Sequence, residues 1–172
     1  MFRPGKNIRT HLMQKYSIPF SHKLILIYTG KYGISTLSYQ LLSSFKNCTF
    51  LGYYPPSSDV PPNFIPIQKG AYSLQDYSYS CDYIISKLGY SLVCEALSAQ
   101  KPLLYFPRTH FVEQDALEKD LFQYGQGIRL HEDSINPELF YQEIGALQSP
   151  FTGAPIMSKS CEIWQWIARR LF

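Results

Sequence analysis

Residues 83–106 read YIISKLGYSLVCEALSAQKPLLYF, and they carry the clearest secondary-structure pattern of the chain. Its first apolar run, Tyr83–Ser86, is typical of a buried strand and ends in a turn at Gly89. A helical pattern begins near Tyr90, and a second apolar run follows at Leu103–Phe106. A strand, a helix and another strand in this order predict a βαβ unit, with parallel strands and a right-handed crossover.

The same alternation of strand and helix extends along the chain on both sides. The run KLILIYT (23–29) has the near-continuous apolar character of a strand buried on both faces. Further strands are predicted at 48–53, 64–67 and 127–130. Helices are predicted at 8–16, after Ser35, at 74–80, at 113–124, from Pro137 and at 158–172. The pattern predicts an α/β fold with a mostly parallel, Rossmann-like sheet flanked by helices.

The length of the chain bounds its domain organisation. With 172 residues it can form one domain with a substantial core, and we expect a single domain over residues 1–172. Residues 1–7 are loop-like and lead into the first helix as a linker would, and 158–172 form a closing helix. We therefore expect the chain to begin inside a larger parent protein.

Composition excludes several classes of protein. The 16 basic and 13 acidic residues give a net charge of +3 without a basic cluster, so no nucleic acid partner is expected. No apolar run approaches the roughly 20 residues of a membrane span, and no signal peptide is visible. Cys48, Cys81, Cys94 and Cys161 lack metal-ligand spacing, and two of them lie in apolar segments, which indicates buried thiols. We expect a cytoplasmic protein without a metal site or a transmembrane segment.

Ligands of parallel α/β sheets bind beyond the carboxyl ends of the strands. This rule selects four segments of the chain: Gly30–Ser35, Gly70–Ser73, Ser86–Glu95 and Arg108–Gln114. The third is the most informative, because Gly89 allows close backbone approach just before a helix begins. The unpaired N–H groups and the positive dipole end of that helix form an anion site.

Glu95 extends this site along the same helix. Ser91, Glu95 and Ser98 follow at spacings of four and three, opposite the apolar side. A carboxylate in the second turn can accept hydrogen bonds from a ribose diol while the N–H groups above it hold phosphate. The alternative is structural: Gly89 serves tight packing and Glu95 is a solvated helix residue.

Two further segments carry weaker signals. Gly30 and Gly33 follow the first predicted strand as a glycine turn, but the pattern is neither G-x-G-x-x-G nor a P-loop. Arg108 and His110 follow a strand, and they leave open a different α/β enzyme with His110 as general base.

Residues 60–130 resemble a known family. The run Pro61–Ile65 (PPNFI), Lys87-x-Gly-Tyr-x-x-Val-x-Glu95-Ala-Leu, Arg108-x-x-Phe-x-Glu113 and Tyr124-x-x-Gly127 carry the likeness. They resemble the C-terminal, nucleotide-sugar-binding domain of GT-B glycosyltransferases. The resemblance is closest to the glycosyltransferase-like N-terminal region of L-arabinokinase-type proteins and their bacterial relatives.

This resemblance implies roles for the candidate residues. Lys87, Gly89, Tyr90 and Ser91 would face a nucleotide diphosphate, and Glu95 would bind the ribose hydroxyls. Residues 67–71 would line the base through main-chain contacts. Gly30 and Gly33 would face the pyrophosphate or the acceptor half, and the Arg108–Gln114 segment, with Glu113 and Gln114, would lie near the donor sugar. The ligand implied is a nucleotide-sugar, UDP-type, as substrate, with no cofactor.

The resemblance also implies that half of an enzyme is missing. GT-B enzymes act between two Rossmann-like domains, so this chain would be the donor-binding half of a hexosyl- or N-acetylhexosaminyltransferase. It would be inactive without an N-terminal acceptor-binding domain or partner subunit. The alternative is a non-catalytic interaction or regulatory module that keeps the fold, as in a sugar-kinase-associated protein. Two positions depart from the pattern: Leu117-Glu118 replaces Asn-Ala, and Tyr90 is bulkier than the usual Ala or Gly.

Overall fold

A six-stranded sheet with the order β3-β2-β1-β4-β5-β6 forms the centre of the protein in a computed structural model. The structure describes residues 5–30, 39–53, 60–68, 70–108, 110–124 and 127–130. The strands are β1 Lys23–Tyr28, β2 Cys48–Gly52, β3 Phe64–Pro66, β4 Tyr83–Lys87, β5 Leu103–Phe106 and β6 Gly127–Arg129. The helices are α1 Arg9–Lys15, a 3₁₀ helix Tyr39–Ser44, α2 Leu74–Ser80, α3 Tyr90–Ala99 and α4 Gln114–Tyr124.

Every pairing of neighbouring strands in this sheet is parallel, which confirms the predicted α/β fold class. The predicted strands and helices agree with the observed elements to within one or two residues at most ends, as at β5 and α2. The segment after Ser35 departs further, because its described part is a 3₁₀ helix that begins at Tyr39. Gly33, Ser35 and the helices predicted from Pro137 and at 158–172 lie outside the described residues.

Both faces of the sheet are buried, which explains the continuous apolar run of β1. Leu24 and Leu26 pack on one face with side chains of α1 to α4, whereas Ile25 and Ile27 pack on the other with the 3₁₀ helix. All four are exposed by 1% or less, and each such side chain stabilises the fold by roughly 1.5–3 kcal/mol.

An ion pair and several hydrogen bonds join α1 to the amino ends of β1 and β4. The Arg9 guanidinium donates to the Asp82 carboxylate at 2.9 Å, and also to the backbone oxygens of Ser80 and His22. The same Asp82 oxygen accepts the Leu24 N–H at 2.8 Å. One carboxylate therefore joins three segments at the edge of the sheet opposite the carboxyl ends.

The start of α2 is fixed by two sets of contacts. Ser73 and Asp76 form a capping box, in which each side chain accepts the backbone N–H of the other residue. The N-terminal segment adds the Lys6 N–H, which donates to Asp76 at 2.7 Å. Gly5 lies so close to the Gln75 carbonyl group that a Cβ would overlap it. The first turn of α2 is thus held from two sides.

Candidate functional site

The order of the strands places a crevice between β1 and β4. The chain continues from β1 outward to β2 on one side and from β4 outward to β5 on the other. In parallel α/β sheets such a change of direction marks the place where ligands bind, beyond the carboxyl ends of the two strands. Tyr28 pairs with Ser86 in the register, and the Ser86 hydroxyl donates to the Tyr28 carbonyl oxygen at 2.6 Å. Gly30 on one strand and Lys87–Gly89 on the other follow directly at this edge.

Helix α3 presents backbone donors at the crevice. Gly89 is its N-cap, and its carbonyl oxygen accepts the N–H groups of Leu92 and Val93 at 3.1 and 3.0 Å. The N–H groups of Tyr90 and Ser91 precede these first intrahelical donors. They lie at the positive end of a ten-residue helix, where an anion is stabilised.

Neither packing nor backbone conformation requires glycine at position 89. Among the described residues beyond its chain neighbours, the nearest atom that a Cβ would meet is the Lys87 carbonyl oxygen at 4.0 Å, an ordinary van der Waals contact. Its φ of −168° is extended backbone that any residue adopts. The alternative in which Gly89 serves tight packing therefore finds no support among the described residues.

Glu95 is buried, with 3% of its surface exposed. The interpretation of Glu95 as a solvated residue opposite the apolar side is wrong, because this position faces α2 and not water. Its Oε1 atom is buried and has no hydrogen-bond partner among the described residues. Burial is the largest effect on its pKa, which rises from an ordinary value of 4.5 to about 7. The buried Glu95 carboxylate therefore has one oxygen atom, Oε1, that accepts no hydrogen bond from a described residue.

Tyr90 turns along its own helix and not over Gly89. Its hydroxyl is buried beside the Cys94 thiol, one helical turn further on. Burial raises the pKa of the Tyr90 hydroxyl, and the charges of Asp120 and Glu113 add to that shift. The Tyr90 side chain is partly buried and packs against the hydrophobic core on the side of the sheet that holds α3.

Side chains and backbone groups between β5 and the start of α4 contact one another. The Arg108 backbone N–H donates to the Gln114 side-chain oxygen at 2.8 Å, and the Arg108 guanidinium stacks on the Phe111 ring at 4.3 Å. His110 is exposed and has a φ of +58°, an uncommon conformation for a residue with a side chain. An exposed imidazole gives no geometric support to His110 as a general base.

Two other glycines lie at the same edge. Gly30 has a φ of +68° and Gly70 a φ of +92°, so both adopt the left-handed backbone that favours glycine. Among the residues that the structure describes, none comes within 4 Å of a Cβ built at either position. Gly30 thus borders the crevice beside β4, whereas Gly33 lies outside the described residues.

The candidate residues fall into two groups in the structure. Gly30, Lys87, Gly89, Tyr90 and Ser91 follow the two central strands, and Glu95 lies below them on α3. Arg108 and Glu113 belong to the neighbouring loop after β5, and Gln114 is the first residue of α4.

Sequence reasoning missed Gln75 and Ser78 of α2, whose side chains face Glu95 and favour its ionised form. Their spacing of three places them on one helix face, but no sequence signal links that face to Glu95.

The described ranges hold neither a metal-ligand cluster nor a membrane-spanning helix. Within them, no group of three His, Cys, Asp or Glu side chains is arranged to hold a metal ion. No helix in those ranges is long and apolar enough to span a bilayer. Cys48 and Cys81 are buried and Cys94 is half-buried, whereas Cys161 lies outside the ranges.

Comparison with known proteins places these features in a wider context. No protein-family profile matches the chain. L-arabinokinase from Arabidopsis thaliana is 36% identical over 72 residues, which are 42% of this chain and 7% of that protein.

Several solved glycosyltransferases share the fold. SnogD from Streptomyces nogalater superposes with a TM-score of 0.59 at 16% identity, over 74% of this chain and 36% of that one. MurG from Acinetobacter baumannii gives 0.56 at 19% identity, over 79% of this chain and 44% of that one. The spinosyn rhamnosyltransferase SpnG, in complex with thymidine diphosphate, gives 0.56 at 20% identity, over 74% of this chain and 37% of that one.

The chain has the fold of the C-terminal half of GT-B glycosyltransferases. It spans 36% to 44% of the length of these solved chains, and a much smaller part of the plant protein. At identities of 20% and below, the likeness establishes the fold alone.

Proposed function

We propose that this chain is the donor-binding half of a glycosyltransferase-like protein, and that it binds a nucleotide diphosphate sugar of the UDP type. The observation that carries the proposal is the Oε1 atom of Glu95, buried and without a partner among the described residues. It lies on the helix whose N-terminal N–H groups face the crevice between β1 and β4. The N–H groups at the start of α3 can bind a phosphate, and the Glu95 carboxylate further along the same helix can bind a diol.

Each part of such a ligand has a matching group. The diphosphate accepts hydrogen bonds from the N–H groups of Tyr90 and Ser91, in the open space above Gly89. The ribose hydroxyls donate to the Glu95 carboxylate, which supplies the partner that Oε1 lacks. Lys87 and Gly30 border the diphosphate from the two central strands.

Transfer would follow from stabilisation of the leaving group. An acceptor hydroxyl attacks the anomeric carbon, the bond from that carbon to the phosphate oxygen breaks, and the electron pair leaves with the nucleotide diphosphate. The helix N-terminus stabilises the developing negative charge. The proton of the acceptor goes to a base on an acceptor-binding half. We propose that this half is another domain or subunit, so the chain alone binds a nucleotide without transferring a sugar. The proposed location is the cytoplasm.

A second candidate is a module that keeps the fold but performs no transfer, for interaction or regulation. The hydrogen bond between Arg108 and Gln114 favours it, because it occupies the amide oxygen that would otherwise contact a donor sugar. Hydrolysis of a UDP-sugar by the chain together with its acceptor-binding half would exclude this candidate.

Calorimetry with UDP tests the first proposal. We expect binding at millimolar or lower concentration, and a loss of about tenfold or more in affinity for Glu95→Ala. Ser44→Ala is the matched control, because Ser44 is exposed and is the last residue of the 3₁₀ helix, just before the amino end of β2. Absence of binding by UDP and other nucleotides to a protein that unfolds cooperatively would contradict the proposal.

A further inference from the structure

The carboxylate of Asp76 connects the start of α2 with the N-terminal segment, at the end of the loop between β3 and α2. Residues 67–73 form this β3–α2 loop, of which the structure describes 67, 68 and 70–73. We propose that Asp76 is a positioning residue, which fixes the β3–α2 loop in the conformation that recognises the base of a bound nucleotide. This inference rests on the proposed function.

Asp76 accepts two backbone N–H groups, one with each carboxylate oxygen. Oδ2 accepts the Ser73 N–H at 3.0 Å, inside the capping box of α2, and Oδ1 accepts the Lys6 N–H at 2.7 Å. The Ser73 hydroxyl in turn accepts the Asp76 N–H at 3.2 Å. One side chain thus joins the last residue of the loop to both the helix and the N-terminal segment.

Both ends of the β3–α2 loop are held by hydrogen bonds. At its first residue, the Ile67 N–H donates to the Gly52 carbonyl oxygen at 2.9 Å, which continues the pairing of β3 with β2. At its last residue, Ser73 is held by Asp76. Gly70 lies between them, is exposed and has a φ of +92°. The loop therefore has an exposed backbone between two fixed ends, and Asp76 fixes the end at the helix.

The N-terminal segment gives Asp76 a second partner that is itself fixed. Before Lys6, Gly5 lies so close to the backbone of α2 that a Cβ would overlap it. After Lys6, the Ile8 N–H donates to the Ser80 hydroxyl at 2.8 Å. Because the segment is bound to α2 on both sides of Lys6, the Lys6 N–H orients the Asp76 carboxylate from a fixed position.

The β3–α2 loop leads towards the proposed nucleotide site. Strands β2 and β1 separate β3 from β4, and α2 packs beside α3, where the Tyr79 hydroxyl donates to the Ser98 carbonyl oxygen at 2.8 Å. Helices α2 and α3 both begin at the carboxyl edge of the sheet, because each follows a parallel strand. The loop therefore runs along that edge and ends on the side of α3 that meets α2.

A nucleotide bound as proposed places its base near this loop. Its diphosphate lies at the N–H groups of Tyr90 and Ser91, and its ribose diol lies at Glu95, three residues before Ser98 on the same helix face. The base is attached to the ribose next to the diol, so it lies on the α2 side of α3. A loop that is already ordered presents its N–H and carbonyl groups to the base without an ordering cost on binding.

Amide hydrogen exchange on the full chain, without ligand, measures how firmly the loop is held. In Asp76→Ala the Ser73 and Lys6 N–H groups lose their acceptor, and we expect exchange at both to be at least about threefold faster. Asp76→Asn accepts through one oxygen only and gives a milder loss. Asp76→Glu should restore slow exchange at Ser73, because Glu is a usual partner of Ser in a capping box.

Calorimetry then compares UDP with ADP, which differ only in the base. We expect the natural protein to prefer UDP. Asp76→Ala should lower the affinity for UDP by about threefold or more and change that for ADP less, so that the preference falls. Asp76→Glu should keep the preference. Ser80→Ala is the matched control, because it loses the hydrogen bonds with the Ile8 N–H and the Asp76 carbonyl oxygen but leaves both contacts of the Asp76 carboxylate.

The outcomes separate this inference from the proposed function. An unchanged preference for UDP in Asp76→Ala, with UDP still bound, overturns this inference alone. Equal binding of UDP and ADP by the natural protein, or an equal loss of preference in Ser80→Ala, also overturns it. Faster exchange at Ser73 in Asp76→Ala, in a chain that binds no nucleotide, supports the fixing of the loop by Asp76 and contradicts the proposed function.

Discussion

The Gln114 side-chain oxygen accepts a hydrogen bond from the Arg108 backbone N–H at 2.8 Å, across the loop that joins β5 to α4. The sequence predicted both residues as ligand contacts. The structure uses the amide oxygen of Gln114 to close the loop, with the Arg108 guanidinium on the Phe111 ring beside it. A residue at a candidate site can thus shape the site without touching the ligand.

Loss of this acceptor is expected to loosen the loop. In Gln114→Leu the Arg108 N–H loses its partner, at a cost of about 1 kcal/mol. Amide hydrogen exchange should then accelerate at Arg108. Gln114→Glu keeps an acceptor oxygen at the same place and serves as the control. Equal exchange rates at Arg108 in the two variants would show that the hydrogen bond does not hold the loop.

Gly89→Ala separates packing from ligand access. Because no described residue beyond its chain neighbours comes closer than 4.0 Å to a Cβ there, the free energy of unfolding should change by less than about 1 kcal/mol. UDP affinity should fall, because the methyl group occupies the space above the helix N-terminus. Chemical denaturation and calorimetry measure the two effects.

Gly52→Ala provides the contrast. A Cβ at Gly52 would lie 2.7 Å from the Phe64 ring, so this variant should lose about 1–3 kcal/mol of stability. If Gly89→Ala is as destabilised as Gly52→Ala, the space above Gly89 is not open in solution.

Asp82→Ala should be among the more destabilising single changes. It leaves the Arg9 guanidinium and the Leu24 N–H without their shared acceptor, at an expected cost of about 1–3 kcal/mol. Arg9→Lys retains a positive charge but not the forked contacts with Ser80 and His22, and should cost less. Urea unfolding of both variants gives the comparison, and a smaller loss for Asp82→Ala than for Arg9→Lys would refute it.

The free energy of unfolding should depend on pH through the titration of Glu95. Its pKa is raised from 4.5 to about 7 in the folded state, so the folded protein holds this proton more tightly than the unfolded chain. The resulting stabilisation is full below the lower value and is lost as pH rises through the higher one. Between the two, the loss approaches about 1.4 kcal/mol per pH unit.

Glu95→Gln removes this titration while keeping the size of the side chain. The variant should therefore gain stability relative to the natural protein as pH rises, and be more stable than it at about pH 8. Urea unfolding from about pH 5 to about pH 8 measures the difference. If the free energy of unfolding changes with pH in the same way for both proteins, burial does not raise the pKa of Glu95.

Patterns of single elements predicted the fold well. The apolar runs of β1 and β4 and the turn at Gly89 were sufficient for a parallel sheet, because a strand buried on both faces has few alternatives. The segment after Ser35 was harder, since its short apolar pattern also fits the observed 3₁₀ helix.

The site was predicted in outline only. Strand order follows from no local pattern, so the crevice between β1 and β4 was visible only in the structure. The burial of Glu95 depends on where α2 packs, which helical periodicity of α3 does not reveal. The partners Gln75 and Ser78 were missed for the same reason.

The most direct test of donor binding is the change in backbone amide signals when UDP is added to the ¹⁵N-labelled chain at about pH 8, where Glu95 is mostly ionised. The predicted result is that the largest changes occur at Gly89, Tyr90 and Ser91, with a second group at Glu95. In Glu95→Gln these changes should require at least about tenfold more UDP. Donor binding at this site is contradicted if the folded protein shows no changes in its amide signals at high UDP concentration, or if the changes appear elsewhere and are the same in Glu95→Gln.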